Sequence, residues 1–276
     1  MKRDEMNLAV EWAAAEGWNP GLNDAEPFYA ADPGGFLLGL KDEEPIAMIS
    51  AVKYGNTFGF MGFYIVKPEW RGHGYGLKIW DAAVASLEGR NIGLDGVVDQ
   101  QANYRKSGFS LAHRNIRYQW NGEKSADNNL SHGQYSVTSH DEIPIDTLVS
   151  FDRQFVPEQR SDFLRSWITQ PHSSAMALKY GDKLVGYGVI RQCRCGFKVG
   201  PLFAETKDGA SLLFCELTKG VEKPVFLDVP ECNEDAVALA EEHGMEIVFE
   251  TARMYTQSPP DLSIQKTYGI TSFELG

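Results

Sequence analysis

The 276-residue chain has no apolar run near the roughly eighteen residues that a membrane-spanning helix needs. Its opening stretch, MKRDEMNLAVEWAAAEGW, sets acids among the apolar side chains and never builds a signal-peptide core, so a soluble, cytoplasmic protein is expected. Basic side chains are the scarcer charge. Against 38 Asp and Glu stand 26 Lys and Arg, a net −12, which argues against nucleic acid or an anionic membrane as the main partner. Cysteine is scarce too: Cys193, Cys195, Cys215 and Cys232 all lie in the second half. Cys193 and Cys195 form a C-x-C, but no second ligand pair follows at zinc-site spacing and the six histidines do not cluster. No metal is therefore expected, and the thiols read as reduced. What the chain does have is 43% hydrophobic and 12% aromatic residues, enough to bury a core and offset the entropy of ordering it.

The length allows one large domain or two modest ones, and three features favour two. Residues 1–120 carry a net charge of −3 and residues 121–276 a net −9. Between them lies NGEKSADNNLSHGQ, polar and without apolar periodicity, which reads as a linker. The third feature is an internal repeat. Leu37–Tyr54 resembles Ala175–Gln192, Asp95 in IGLDGVV parallels Asp228 in VFLDVPE, Ser107-Gly108-Phe109 parallels His243-Gly244-Met245, and Arg117 parallels Arg253. The offsets of 138, 133, 136 and 136 stay in register over about a hundred residues, as in two diverged copies of one α/β unit.

Within the first copy, Leu8, Ala9, Trp12 and Ala13 recur at helical spacing. Phe36–Leu40 and Ile46–Lys53 read as an antiparallel strand pair, and Thr57–Val66 as a third strand. Leu77, Trp80, Val84 and Leu87 line one face of a helix; Ile92–Val98, Gln100–Lys106 and His113–Trp120 follow as strand, short helix and closing strand. The informative stretch joins the third strand to the first long helix: Tyr64-Ile-Val-Lys-Pro-Glu-Trp-Arg-Gly-His-Gly-Tyr-Gly-Leu77. Glycines at 72, 74 and 76 let successive backbone N–H groups turn inward, and the helix behind adds unpaired N–H groups and the positive end of its dipole. Together these make a receptor for a phosphate or pyrophosphate. The dinucleotide fingerprint fails because Leu77 stands at its third glycine, and the P-loop fails for want of Gly-Lys-Ser/Thr. What remains is R-x-x-G-x-G over Arg71–Gly76.

In that form, between a strand and a helix, the loop resembles the acetyl-CoA loop of the GCN5-related N-acetyltransferases (GNAT). The family's second signature, Tyr-x-Lys-x-Gly-Phe, is matched by Tyr104–Phe109. The resemblance covers about residues 1–120 and extends weakly through the repeat, and it is similar to bacterial tandem members with a degenerate second copy. It implies an α/β (α+β) fold of two GNAT-like domains, each a mixed, mostly antiparallel sheet flanked by helices. The divisions would be 1–122 for the catalytic domain, 123–134 for the linker and 135–276 for the degenerate copy with a C-terminal tail. It further implies transfer of an acetyl group from acetyl-CoA, as cosubstrate, directly to a primary amine of a small molecule or protein in a ternary complex. The alternative is a non-catalytic acyl-CoA-binding or sensing protein.

The family's roles fall residue by residue. Backbone amides of Arg71, Gly72, His73, Gly74, Tyr75, Gly76 and Leu77 would hold the pyrophosphate. Backbone of Tyr64, Ile65 and Val66 would pair with the pantetheine arm. Tyr104 would protonate the departing thiolate, and Lys106 and Asn103 would touch the cofactor. Two departures matter: Val97 stands where relatives carry a cofactor-contacting Asn, and Thr57–Val66 contains no acid to serve as general base. Glu16, Asp95 and Asp99 are the candidates for the base, and Glu16, Trp18 and Asp99 for contact with the acceptor. In the second copy, Pro201, Glu205 and Asp208 stand where donors are needed and Ala240 where the phenol should be. That copy should bind no acetyl-CoA; its expected use is to wall the acceptor pocket or stabilise the first copy, and residues 1–122 alone should keep the cofactor site.

Overall fold

A computed structural model of the chain describes residues 1–122 and 134–276; apart from Gln134, the expected linker lies outside the described residues. The first copy runs α1 (Met6–Ala15), α2 (Ala25–Ala31), β1 (Phe36–Lys41), β2 (Glu44–Tyr54), β3 (Phe58–Val66), α3 (Tyr75–Ser86), β4 (Asn91–Val97), α4 (Gln101–Lys106) and β5 (Ser110–Trp120). The second runs β6 (Tyr135–Ser139), α5 (Ile145–Asp152), α6 (Ser161–Ile168), β7 (Ser173–Tyr180), β8 (Lys183–Gln192), β9 (Phe197–Ala204), α7 (Lys207–Thr218), β10 (Val225–Pro230), α8 (Glu234–Glu242), β11 (Glu246–Tyr255) and β12 (Thr267–Gly269). The elements expected of the first copy stand within a few residues of their expected bounds. The exception is α2, whose seven residues include Pro27 and give too short a pattern to read; it packs on α6 through the stacked rings of Phe28 and Trp167, 5.9 Å apart.

Period-2 alternation explains how one strand serves two layers. Along β2, Met48 and Val52 join a core shared by α1, α2, α5 and α6, while Ala47, Ile49 and Ala51 face α3. The shared core reaches into both copies, from Met6 and Phe28 to Leu148, Trp167 and Phe203.

All the described strands join one twelve-stranded sheet, ordered β1-β2-β3-β4-β11-β5-β10-β9-β8-β7-β6, with β12 against β9. At its centre the copies interpenetrate. Strand β11 lies antiparallel between β4 and β5, and β5 lies antiparallel between β11 and β10. Asn115 and Thr251, counterparts at the 136-residue offset, are also register partners, which places a pseudo-twofold axis between them. The repeat's conserved-looking charges now meet. Arg253 of the second copy grips Asp95 of the first (Nε–Oδ1 2.8 Å, Nη2–Oδ2 2.6 Å), and Arg117 of the first grips Asp228 of the second (2.6 and 2.8 Å).

The two copies differ where their parallel strands part. Strands β3 and β4 pair from Phe58↔Asn91 only to Met61↔Leu94; beyond that they diverge. Strands β9 and β10 likewise pair only from Phe197↔Val225 to Val199↔Leu227. In the second copy, that opening is filled by the chain itself. Thr267–Gly269 pair with β9, and the Ile270 N–H donates to the Asp228 carbonyl at 2.9 Å. A Cβ on Gly200 would stand 2.7 Å from the carbonyl oxygens of both Ile270 and Thr271.

Candidate active site

In the first copy the diverging strands border a cavity of about 560 Å³. Backbone geometry opens it. Phe63 takes φ of +49°, which an L-residue adopts only at some cost, and the β2–β3 register jumps from Met48↔Ile65 to Ser50↔Gly62. This bulge turns the end of β3 away from β4. Tyr64, Ile65 and Val66 then line one side of the opening; Asp95, Gly96 and Val97 line the other.

The glycine loop stands at the mouth. Gly72 and Gly74 have φ of +79° and +81°, and a Cβ at either would meet open space. Glycine at both positions gives the chain its left-handed turn. Gly74 caps α3 without any side-chain hydrogen bond, so the first N–H groups of the helix have no internal partner. The matching helix α7 is closed instead: the Thr206 hydroxyl accepts from the Gly209 N–H at 3.2 Å, and Glu205 is paired with Lys266 at 2.7 Å. Arg71 folds back, its Nε donating to the Val66 carbonyl at 2.8 Å and its Nη2 bound to Glu16.

Tyr104 lies across β4. Its ring stacks on Trp80 at 5.6 Å, and a Cβ on Gly96 would stand 2.1 Å from it, so glycine at 96 is a condition for its placement. The phenol hydroxyl has no hydrogen-bond partner among the described residues and borders the cavity. Burial, with the neighbouring Tyr64 phenol second, pushes it up to about 12, so it stays protonated throughout the neutral range.

Of the residues singled out in the sequence, Glu16, Trp18, Tyr64, Ile65, Val66, Arg71, Gly72, Gly76 and Tyr104 meet at this cavity. His73, Gly74, Tyr75 and Leu77 belong to the loop and the first turn of α3 but do not line it; Leu77 is 64% exposed. Asp99 lies outside, as do Asn103, bonded to Gln100 at 2.8 Å, and Lys106, which is exposed. Asp95 is no free base. Burial raises its carboxyl, and both oxygens are held by Arg253, one also by Asn115 at 2.8 Å.

Sequence reasoning missed Phe249, Thr251, Phe273 and Glu274, all lining the cavity from the second copy. No motif surrounds them. Phe249 and Thr251 arrive because β11 is inserted beside β4; Phe273 and Glu274 arrive because the chain, after filling its own opening, crosses to β3. The only sequence signal was the repeat itself, which suggested a wall without naming its residues.

Parallel strands parting beside an uncapped helix N-terminus, with a buried phenol at the opening, form the arrangement that the loop and tyrosine motifs led one to expect. Comparisons with known proteins give the family. Residues 5–109 match the model described as acetyltransferase (GNAT) family, and residues 148–269 the model described as acetyltransferase (GNAT) domain. The holothin acyltransferase of Pseudoalteromonas sp. (strain SANK 73390) is 31% identical over 99% of this chain and 92% of its own. The crystal structure of a Pyrococcus horikoshii protein assigned as an acetyltransferase superposes with a TM-score of 0.84 at 20% identity, covering 100% of this chain and 94% of that one. A tandem GNAT protein from the clavulanic acid biosynthesis pathway superposes with a TM-score of 0.63 at 11% identity, covering 94% and 98%. The chain belongs to the GCN5-related N-acetyltransferase family, in its tandem form.

Among the described residues no helix is long and apolar enough to cross a membrane, no group of His, Cys, Asp and Glu is placed to hold a metal ion, and all four cysteines are free.

Proposed function

We propose that the chain transfers an acetyl group from acetyl-CoA to a primary amine of a small molecule, by direct attack in a ternary complex. The observation that carries this reading is the open strand divergence of the first copy, running from the uncapped N-terminus of α3 past the bulged end of β3 to the Tyr104 hydroxyl. Backbone N–H groups from Gly72 to Leu77 receive the pyrophosphate, that of Arg71 being donated already to the Pro68 carbonyl at 3.2 Å, and the freed edge of β3 at Tyr64, Ile65 and Val66 pairs with the pantetheine arm. A bulge N–H at the thioester carbonyl stabilises the charge that develops there. Tyr104, protonated at neutral pH, supplies the proton to the departing sulfur. Trp18, Phe249 and Phe273 wall the remaining space, which suits a flat small amine better than the lysine of a folded protein.

The test is release of free CoA when acetyl-CoA and the full chain meet a panel of amines, with holothin first because a relative is named for acylating it. Tight CoA binding without release by any amine would favour an acyl-CoA sensor instead. Tyr104→Phe is expected to lower turnover by about a hundredfold or more while leaving acetyl-CoA affinity near that of the wild type, because only the phenolic proton is removed. Turnover within twofold would remove Tyr104 from the acid's role.

One CoA per chain is the expected stoichiometry. The second opening is filled by Thr267–Thr271, and the helix behind it is capped by Thr206. Calorimetric titration approaching two sites would overturn this.

A further inference from the structure

We infer that Glu274, carried to the first copy by the segment following β12, binds the acceptor amine and takes its proton; this rests on the acyl-transfer reading above. The residue is only 4% exposed, yet its carboxylate makes no hydrogen bond or ion pair among the described residues. Its oxygens are not sealed into packed protein, and the residue borders the cavity. The segment is firmly placed. A Cβ on Gly62 would stand 2.2 Å from the Glu274 carbonyl oxygen, one residue beyond the point where β3 and β4 part. On either side, Ser272 accepts from the Leu275 N–H at 3.2 Å, and the Tyr54 hydroxyl donates to the Leu275 carbonyl at 2.9 Å.

The other acids of the cavity are committed, Asp95 to Arg253 and Glu16 to Arg71. The cations whose charge reaches Glu274 are committed too. Arg117 donates to Asp228 and to the Trp18 carbonyl; Arg191 donates to Asp24 through Nε and Nη2, and its remaining Nη1 is sealed in packed protein without reaching Glu274. A carboxylate on a buried residue that no protein donor pairs is retained where a ligand supplies the partner. Thr251 also lines the cavity, but its hydroxyl is sealed into packed protein and offers the cavity no polar group. The Glu274 carboxylate, set among the rings of Trp18, Phe249 and Phe273, matches an ammonium carried on a flat apolar body.

The proton balance closes. The ammonium gives one proton to Glu274, and the freed lone pair forms the C–N bond at the thioester carbonyl. The C–S bond breaks with its electron pair on sulfur, which takes the Tyr104 proton. The second proton leaving nitrogen restores the Tyr104 phenol, and Glu274 passes its proton to water. The products are amide, CoA thiol and one proton.

The experiment follows CoA release by the full chain from acetyl-CoA with benzylamine, tryptamine and holothin as acceptors. Glu274→Gln is expected to lower kcat/KM for the best of these about a hundredfold or more, with CoA affinity within twofold and no fall in unfolding temperature. Glu274→Asp, with its carboxylate drawn back by one methylene, should fall between the two. Activity within twofold in Glu274→Gln overturns the inference. So does a parallel loss of CoA affinity and unfolding temperature in both variants, which assigns the residue to the fold alone. A wild-type chain that binds CoA and releases it with none of the amines overturns the acyl-transfer reading, and this inference with it.

Discussion

A chain cut after Gly122 is expected not to fold as a monomer and, as a monomer, to bind no CoA. The sequence suggested the opposite, because both acetyl-CoA motifs lie in the first copy. Three losses combine. Strand β4, one wall of the cavity, loses its antiparallel neighbour β11. Strand β5 does not reproduce it: both β4 and β5 run antiparallel to β11, so they are parallel to each other, and β5 in the vacated place would replace antiparallel pairing by the slightly weaker parallel pattern while giving up its own place beside β10. The core under α1 and α2 loses Leu148, Trp167 and Phe203, and Asp95 is left buried without Arg253. An abandoned buried charge alone costs about 3–5 kcal/mol, against a total stability of about 5–15 kcal/mol for a typical protein. Sedimentation and calorimetry with CoA on the fragment check this. A folded CoA-binding monomer would overturn the argument. A dimer would not, since two fragments can each lend a β5 to the other, with Arg117 standing in for its counterpart Arg253.

Arg253→Leu in the full chain is expected to lower stability by about 3–5 kcal/mol, because Asp95, with no side-chain exposure, loses both guanidinium bonds and must either stay charged without a counter-ion or take up a proton. Only the Asn115 amide remains to it among the described side chains. The double variant Arg253→Leu, Asp95→Leu should recover most of the loss, since two apolar side chains there bury no charge. The pseudo-symmetric change Arg117→Leu should cost less. Asp228 is held below the usual carboxylate range not by Arg117 alone, burial opposing, but also by the charges of Lys198 and Arg191. Urea unfolding of the four proteins measures the differences. A double variant no more stable than Arg253→Leu would show that packing, not the unpaired charge, sets the cost.

The sequence by itself determined the local parts. Hydrophobic periodicity placed the hairpin of β1 and β2, the strand into the glycine loop, and α3 behind it, because those patterns depend on neighbours along the chain. The loop and Tyr104 were legible for the same reason: a left-handed turn at Gly74 and a phenol two residues before Lys106 are short-range chemistry written in consecutive residues. The repeat even paired the right charges, Asp95 with Asp228 at an offset of 133 and Arg117 with Arg253 at 136, though as counterparts rather than partners. Tertiary structure decided which of them touch. Mutual insertion of β5 and β11 joins each aspartate to the arginine of the other copy, and strand pairing across more than a hundred residues leaves no mark in either strand's own sequence. It also decided the far wall of the cavity. Nothing around Phe273 or Glu274 distinguishes a tail from a wall until the segment at Thr267–Thr271 fills the second opening and is carried on across Gly62. That route is set by a gap between strands in three dimensions, and so only the assembled sheet could specify it.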